Sequence, residues 1–176
     1  PNRTKVLAFG PNAAARARQE GKAKPETFDF LGFTHYCSRR KPARKPCARR
    51  DGTGFRMKRR TSRKRFRAKL GAFSQWLQQN RAKMQTRELW EAARQKLAGH
   101  YHYYGVTDNF PSLQQYAHQA ERLIMKWLNR RGGKREMTWE QFRKMAQRIP
   151  LPKPRIHVSF FKPRPRERQG YLFTTT

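Results

Sequence analysis

The stretch GFRMKRRTSRKRFRAKLGAFSQWL (54–77) changes its hydrophobic period halfway along. In the first half Phe55 and Met57 alternate with Arg56 and Lys58. That period of two reads as a short half-buried strand with a basic outer face. In the second half Phe66, Leu70, Phe73 and Leu77 recur at helical spacing, one stripe of an amphipathic helix. Lys64, Arg65 and Arg67 fall away from that stripe. The spacing predicts a strand that feeds directly into a helix starting near Ser62, a residue whose hydroxyl suits an N-cap.

Working outward, strands precede this point and helices follow it. TFDFLGFTHYC (27–37) alternates Phe28 and Phe30 around Asp29 and reads as a strand, with Gly32 marking a bend, a bulge or a close backbone approach. TKVLAF (4–9) is a shorter strand-like run closed by Gly10-Pro11. Residues 12–24 read as a loop with a helical turn, and Pro42 and Pro46 make 38–50 an exposed loop. Downstream, Thr86 is the expected cap of a second helix carrying Leu89, Trp90, Ala93 and Leu97. A third helix opens at Pro111-Ser112 with Leu113, Tyr116, Ala117, Ala120, Leu123 or Ile124, and Trp127 on one stripe, and Gly132-Gly133 ends it. TWEQ (138–141) is a capping box that starts a fourth helix, expected to bury Trp139, Phe142, Met145 and Ile149 before Pro150. The fold class is therefore α+β, with short strands followed by a bundle of about four helices. Three segments are expected: strands and a basic connector over 1–60, a helical domain over 61–150, and an extended basic tail over 151–176.

Charge narrows the partners. Lys and Arg number 42 against 11 Asp and Glu, a formal net charge of +31. Such an imbalance repels itself unless an anionic partner relieves it. No apolar run reaches the roughly 20 residues that span a bilayer, so a polyphosphate is the expected partner and a membrane is not. Residues 38–69 hold sixteen Lys/Arg and one acid, Asp51. A run of one sign along a strand and the first turns of a helix suits a phosphate backbone better than a merely solvated face.

Catalytic patterns are absent by contrast. The sequence has no paired-carboxylate motif, P-loop or zinc-protease HExxH. Asp29 is the one acid in an expected strand, where it reads as the solvent-facing member of the alternation. Cys37 and Cys47, even with His35 nearby, lack the CxxC spacing of a zinc site.

GHYHYYGV (99–106) admits three roles: core, base stacking or metal binding. If it continues the second helix, Tyr101 and Tyr104 extend the stripe of Trp90, Ala93 and Leu97 and pack inside. His100, His102 and Tyr103 are then more exposed and available to stack on bases or bond phosphates. His100 and His102 diverge on a helix, which disfavours a shared metal.

The motifs also have an order. RTKVLAFG (3–10), ETFDFLGFTHYC (26–37), GFRMKRRTSRKRFRAKL (54–70), KLAGHYHYYGVTDN (96–109), LIMKWLNRRGG (123–133), MTWEQF (137–142) and PLPKPRIHVS (150–159) follow one another. Together, over roughly residues 1–160, they resemble the C-terminal part of bacterial-type group II intron reverse transcriptase/maturases. The resemblance implies that FDFLGF is the last palm block and that 61–149 is the thumb, or X, maturase domain. It implies binding of structured intron RNA, in splicing and retromobility, and a grip on an RNA/DNA template–primer. The YADD-type carboxylates of the palm would precede Pro1, so Mg²⁺ and dNTPs are expected to belong to that missing palm and no cofactor to this chain. The expectation is a fragment, split subunit or remnant of an RNA-directed DNA polymerase, in a bacterial cytoplasmic ribonucleoprotein or at the nucleoid, with another chain as a candidate source of fingers and palm. A stand-alone basic RNA-binding structural protein and the thumb of a CRISPR- or retron-associated reverse transcriptase are the alternatives. The candidate RNA contacts are Arg39, Arg40, Arg56, Lys58, Arg59, Arg60, Arg63, Lys64, Arg65 and Arg67 along connector, strand and helix, His100 and Tyr103 in the octet, and Arg130 and Arg131 after the third helix.

Overall fold

The period switch at Ser62 is realised as a strand-to-helix junction. In a computed structural model, which describes residues 7, 9–10, 12–39, 55–131 and 137–160, eight elements follow in order. They are α1 (Ala13–Gln19), β1 (Phe28–Phe30), β2 (Phe33–Arg39), β3 (Phe55–Thr61), α2 (Arg63–Asn80), α3 (Thr86–Tyr104), α4 (Phe110–Asn129) and α5 (Trp139–Arg148).

The three strands form one antiparallel sheet in the order β1-β2-β3. Phe30 pairs with Phe33, so the hairpin turns on two residues, Leu31 and Gly32. Both have positive φ, 49° and 82°, which is the pattern of a type I′ turn. The bend and the close approach expected of Gly32 are both present: a Cβ there would lie 3.1 Å from the Tyr104 hydroxyl. Asp29 is exposed, as its place in the alternation implies, and accepts a hydrogen bond from Thr34 Oγ1 at 2.5 Å. The loop expected at 38–50 begins later, because Ser38 and Arg39 still pair with Arg56 and Phe55. Its remainder lies outside the described residues. Of the strand expected at 4–9 only Leu7 and Phe9 are described, and neither is in a strand.

Ser62 caps α2, its hydroxyl accepting from the Arg65 N–H. Phe73 and Leu77 of the stripe are buried, while Phe66 and Leu70 pack half-buried against them. In α3, Leu89, Trp90, Ala93, Leu97, Tyr101 and Tyr104 all face inward, so the helix carries its phase unbroken through Gly99. The cap of α3 is Gln85 rather than Thr86. A capping box needs an acid or amide three residues in; Glu88 answers Gln85 by accepting its N–H at 2.9 Å, whereas Thr86 would face Leu89. α4 begins one residue earlier than Pro111 and ends at Asn129, ahead of Gly132-Gly133, which lie outside the described residues. The box at Thr138 and Gln141 is present in α5. Trp139 is not buried but 45% exposed, because as the first helical residue it sits beyond the bundle and lays its ring edge on Phe142. Phe142 is the side chain that reaches the core, against Trp90 at 5.1 Å.

One continuous core joins sheet and bundle, since Phe33 packs edge-on to Tyr104 at 5.3 Å. A fully buried Asn109 ties the same corner together. Its Oδ1 accepts the Thr61 backbone N–H at 2.7 Å, and its Nδ2 donates to the Tyr104 carbonyl at 2.8 Å. From Leu151 to Phe160 the chain forms no helix or strand, and Val158 makes a parallel bridge to Val106; residues 161–176 of the expected extended tail lie outside the described residues.

Candidate nucleic-acid interface

The strand register sorts the cations of β3. Directly paired residues share a face of a sheet. Arg56, Lys58 and Arg60 stand opposite Ser38, Tyr36 and Thr34 on one face, and Arg59 stands opposite His35 on the other. Arg60 is exposed and lies over the Tyr36 ring at 5.5 Å. Arg59 lies 4.2 Å over Phe160 of the tail. Arg56 is committed to the fold, donating to the Asp108 carboxylate at 2.8 Å. Arg39 ends β2, and Arg40 is outside the described residues.

The chain then passes Ser62 and presents Arg63, Lys64, Arg65 and Arg67, all exposed, on the first turns of α2. No acid lies in that first turn. Lys58, Arg60 and these four side chains therefore make a contiguous cationic run across the junction.

Arg65 also belongs to a second feature. Where the hairpin tip, α2 and α3 meet, a groove of about 800 Å³ opens. Cations line it from both helices: Arg65 and Lys69 from α2, Lys96 from α3. Rings line it as well: Trp76, His100, Tyr103, Tyr104 and Tyr116. No carboxylate is among its lining residues. Lys96 Nζ sits 4.7 Å over the Trp76 ring. His100 is not the exposed residue that the helical phase implied. It is half-buried and stacked on Tyr116 with ring centroids 3.6 Å apart. Burial, helped by the Lys69 charge, pushes its imidazole down to about 4, so it is neutral at pH 7. Burial first, then neighbouring Tyr104, pushes the Tyr116 hydroxyl up to about 12. Tyr103 is 56% exposed, and its hydroxyl donates to the Leu31 carbonyl at 3.2 Å. His102 points elsewhere, toward His157 at 5.0 Å, so the two octet histidines do diverge.

Arg130 and Arg131 lie at the other end of α2, roughly 25 Å away at 1.5 Å per residue. There Arg81 donates to the Arg130 carbonyl, and Arg81, Lys126 and Arg130 surround the Trp127 ring at 5.1, 5.3 and 5.5 Å. Arg131 is turned inward and donates to the Met84 carbonyl. The structure thus brings together Arg65, His100 and Tyr103, and keeps Arg130 and Arg131 apart from them.

Lys69, Trp76 and Lys96 are functional candidates that reading the sequence missed. Trp76 precedes the buried Leu77 and follows Phe73 by three, so its place beside the stripe was visible; that α3 would leave space in front of it was not. Among the described residues no group of three His, Cys, Asp or Glu converges to hold a metal ion. Among the same residues no helix is long and apolar enough to cross a membrane. Compared with protein-family models, curated proteins and solved structures, the chain matches none of them.

Proposed function

We propose that the chain binds structured RNA through its phosphates, as the terminal palm strands and thumb/maturase portion of a group II intron reverse transcriptase. The observation that carries the RNA reading is the run of exposed cations crossing from Arg60 to Arg67, with no acid in the first turn of α2. Its support is physical. Cations at the start of a helix oppose the helix dipole and repel one another. Such a placement is unfavourable in the free protein and favourable once phosphate oxygens lie among them. The family assignment rests on the ordered motifs from RTKVLAFG to PLPKPRIHVS. In that role the chain grips RNA or template–primer, and nucleotide transfer belongs to a palm bearing the metal-binding carboxylates.

The test is a salt titration of binding to a structured intron-type RNA. The slope of log K against log salt is expected at about −5 or steeper, one phosphate contributing roughly −0.7 to −0.9. Replacing Lys64, Arg65 and Arg67 with Gln is expected to flatten the slope by about 2 and leave the melting temperature unchanged or raised. A slope near zero, or a triple variant that binds like the parent, overturns the proposal.

A further inference from the structure

We infer that the groove between the hairpin tip, α2 and α3 holds a single unpaired nucleotide, its base against the aromatic wall and its phosphate among Arg65, Lys69 and Lys96. The inference rests on the RNA reading above and adds a site and a ligand class to it.

Three observations converge on this occupant. The first is charge: three cations and no carboxylate line the groove, so its ligand is anionic. The second is the wall. Rings recognise a base by its face, and a base in a duplex shows only its edges. The rings here line a concavity of about 800 Å³, within the range of small-ligand sites, so only a nucleotide that has left its helix reaches them. Trp90 and Trp127 spend their indole N–H groups on Ile149 O and Ser74 Oγ, whereas the Trp76 indole has no acceptor among the described residues. His100, neutral at pH 7, brings one donor and one acceptor nitrogen to the same wall.

The third observation is the space itself. Gly99 lies inside α3, where alanine would be the better helix former. Gly99 lines the groove, and a Cβ built on it meets nothing within 4 Å. At the groove mouth Leu31 is 66% exposed while holding a left-handed backbone that its side chain disfavours. A disfavoured helix residue and a disfavoured turn residue thus border the same opening.

The test uses the full chain and two RNA hairpins that differ only by one unpaired nucleotide in the stem. An aromatic–base contact corresponds to about 5- to 150-fold in affinity. The wild type is expected to prefer the bulged hairpin by about tenfold. Gly99→Leu fills the groove and is expected to abolish that preference, leaving affinity for the paired hairpin and its salt slope unchanged. Gly71→Leu, on α2 and not lining the groove, is expected to keep the preference. If circular dichroism shows Gly99→Leu unfolded, Tyr103→Ala, which removes an exposed ring, supplies the same readout. No preference in the wild type, or a preference that survives in folded Gly99→Leu, overturns the inference while a steep salt slope leaves the RNA reading standing. A flat salt slope on both hairpins overturns that reading instead.

Discussion

Leu31 sits at φ 49° in a two-residue turn whose sequence preference is Asn-Gly or Asp-Gly. A left-handed backbone costs a branched residue about 1–2 kcal/mol, and its exposed side chain recovers little by burial. Leu31→Asn is therefore expected to stabilise the fold by about 1 kcal/mol in urea unfolding. An unchanged or lower stability would mean that the leucine makes an apolar contact worth more than the turn strain. His100 gives a residue-scale prediction of opposite character. The unfolded chain titrates this imidazole near 6.5, and the folded protein holds it at about 4, with Tyr116, Tyr104 and Lys69 around it. Between those values the unfolded state binds a proton that the native state does not. Stability from this group is complete above pH 6.5, falls as pH drops toward 4, and is lost below. The loss is on the order of 3 kcal/mol. Urea melts at pH 7 and pH 5 check it: His100→Phe keeps the stack on Tyr116 and is expected to lose less stability on acidification than the parent. Equal losses would assign the acid sensitivity to the carboxylates.

The first turn of α2 shows how an element bears the cost of a function. Arg63, Lys64 and Arg65 occupy it beside the positive end of the helix dipole, with no acid to offset them. Lys64→Glu is expected to raise stability by roughly 0.5–1 kcal/mol and to weaken RNA binding; a variant that loses both would show that Lys64 supports the fold. This element was almost fully legible in the sequence. A period-two segment, a serine and a period-3.6 segment leave little freedom, and Ser62, Phe73 and Leu77 stand where the spacing put them. The phase of α3 through Gly99 was legible for the same reason, and it separated buried Tyr101 and Tyr104 from exposed Tyr103. Ends were less legible. Thr86 is a good cap by type, but Gln85 has the reciprocating Glu88, and a box outweighs a single hydroxyl. Trp139 reads as core with Phe142, Met145 and Ile149 on the fourth helix, yet a residue at the start of a helix is placed by its cap and not by its stripe. The groove was the least legible feature. His100, Trp76 and Lys96 lie on two helices, and only the packing of α2 beside α3 decides that they face one space.

At the scale of the molecule, one residue and one charge term dominate. Asn109 has no exposed surface and bonds to β3 and to the end of α3 from the start of α4. Asn109→Ala strands the buried Thr61 N–H, at about 1–3 kcal/mol, and removes one of the two donors to the Tyr104 carbonyl, which keeps the Val106 N–H at 2.8 Å. A loss of about 2–4 kcal/mol is expected, with sheet and bundle unfolding in one transition because one core runs through both. Two separate transitions in parent or variant would show that the corner does not couple them. The charge term acts on every element at once. A net +31 on 176 residues disfavours any compact state, and among the described residues the favourable ion pairs are few and mostly exposed, as in Lys22–Glu20 and Lys144–Glu140. Screening shortens the reach of that repulsion from about 10 Å at 0.1 M salt to about 3 Å at 1 M. Added salt is therefore expected to raise the melting temperature of the free protein. The same salt is expected to weaken RNA binding, because counterion release drives it. The two responses have opposite signs and one cause, so they are best measured in the same buffers: melting of the free chain and RNA affinity, each from 0.05 to 0.5 M NaCl (about one decade of ionic strength). A melting temperature that is flat or falls across that range would show that the native fold already spaces its cations beyond mutual reach, and that RNA would bind without relieving strain in the protein.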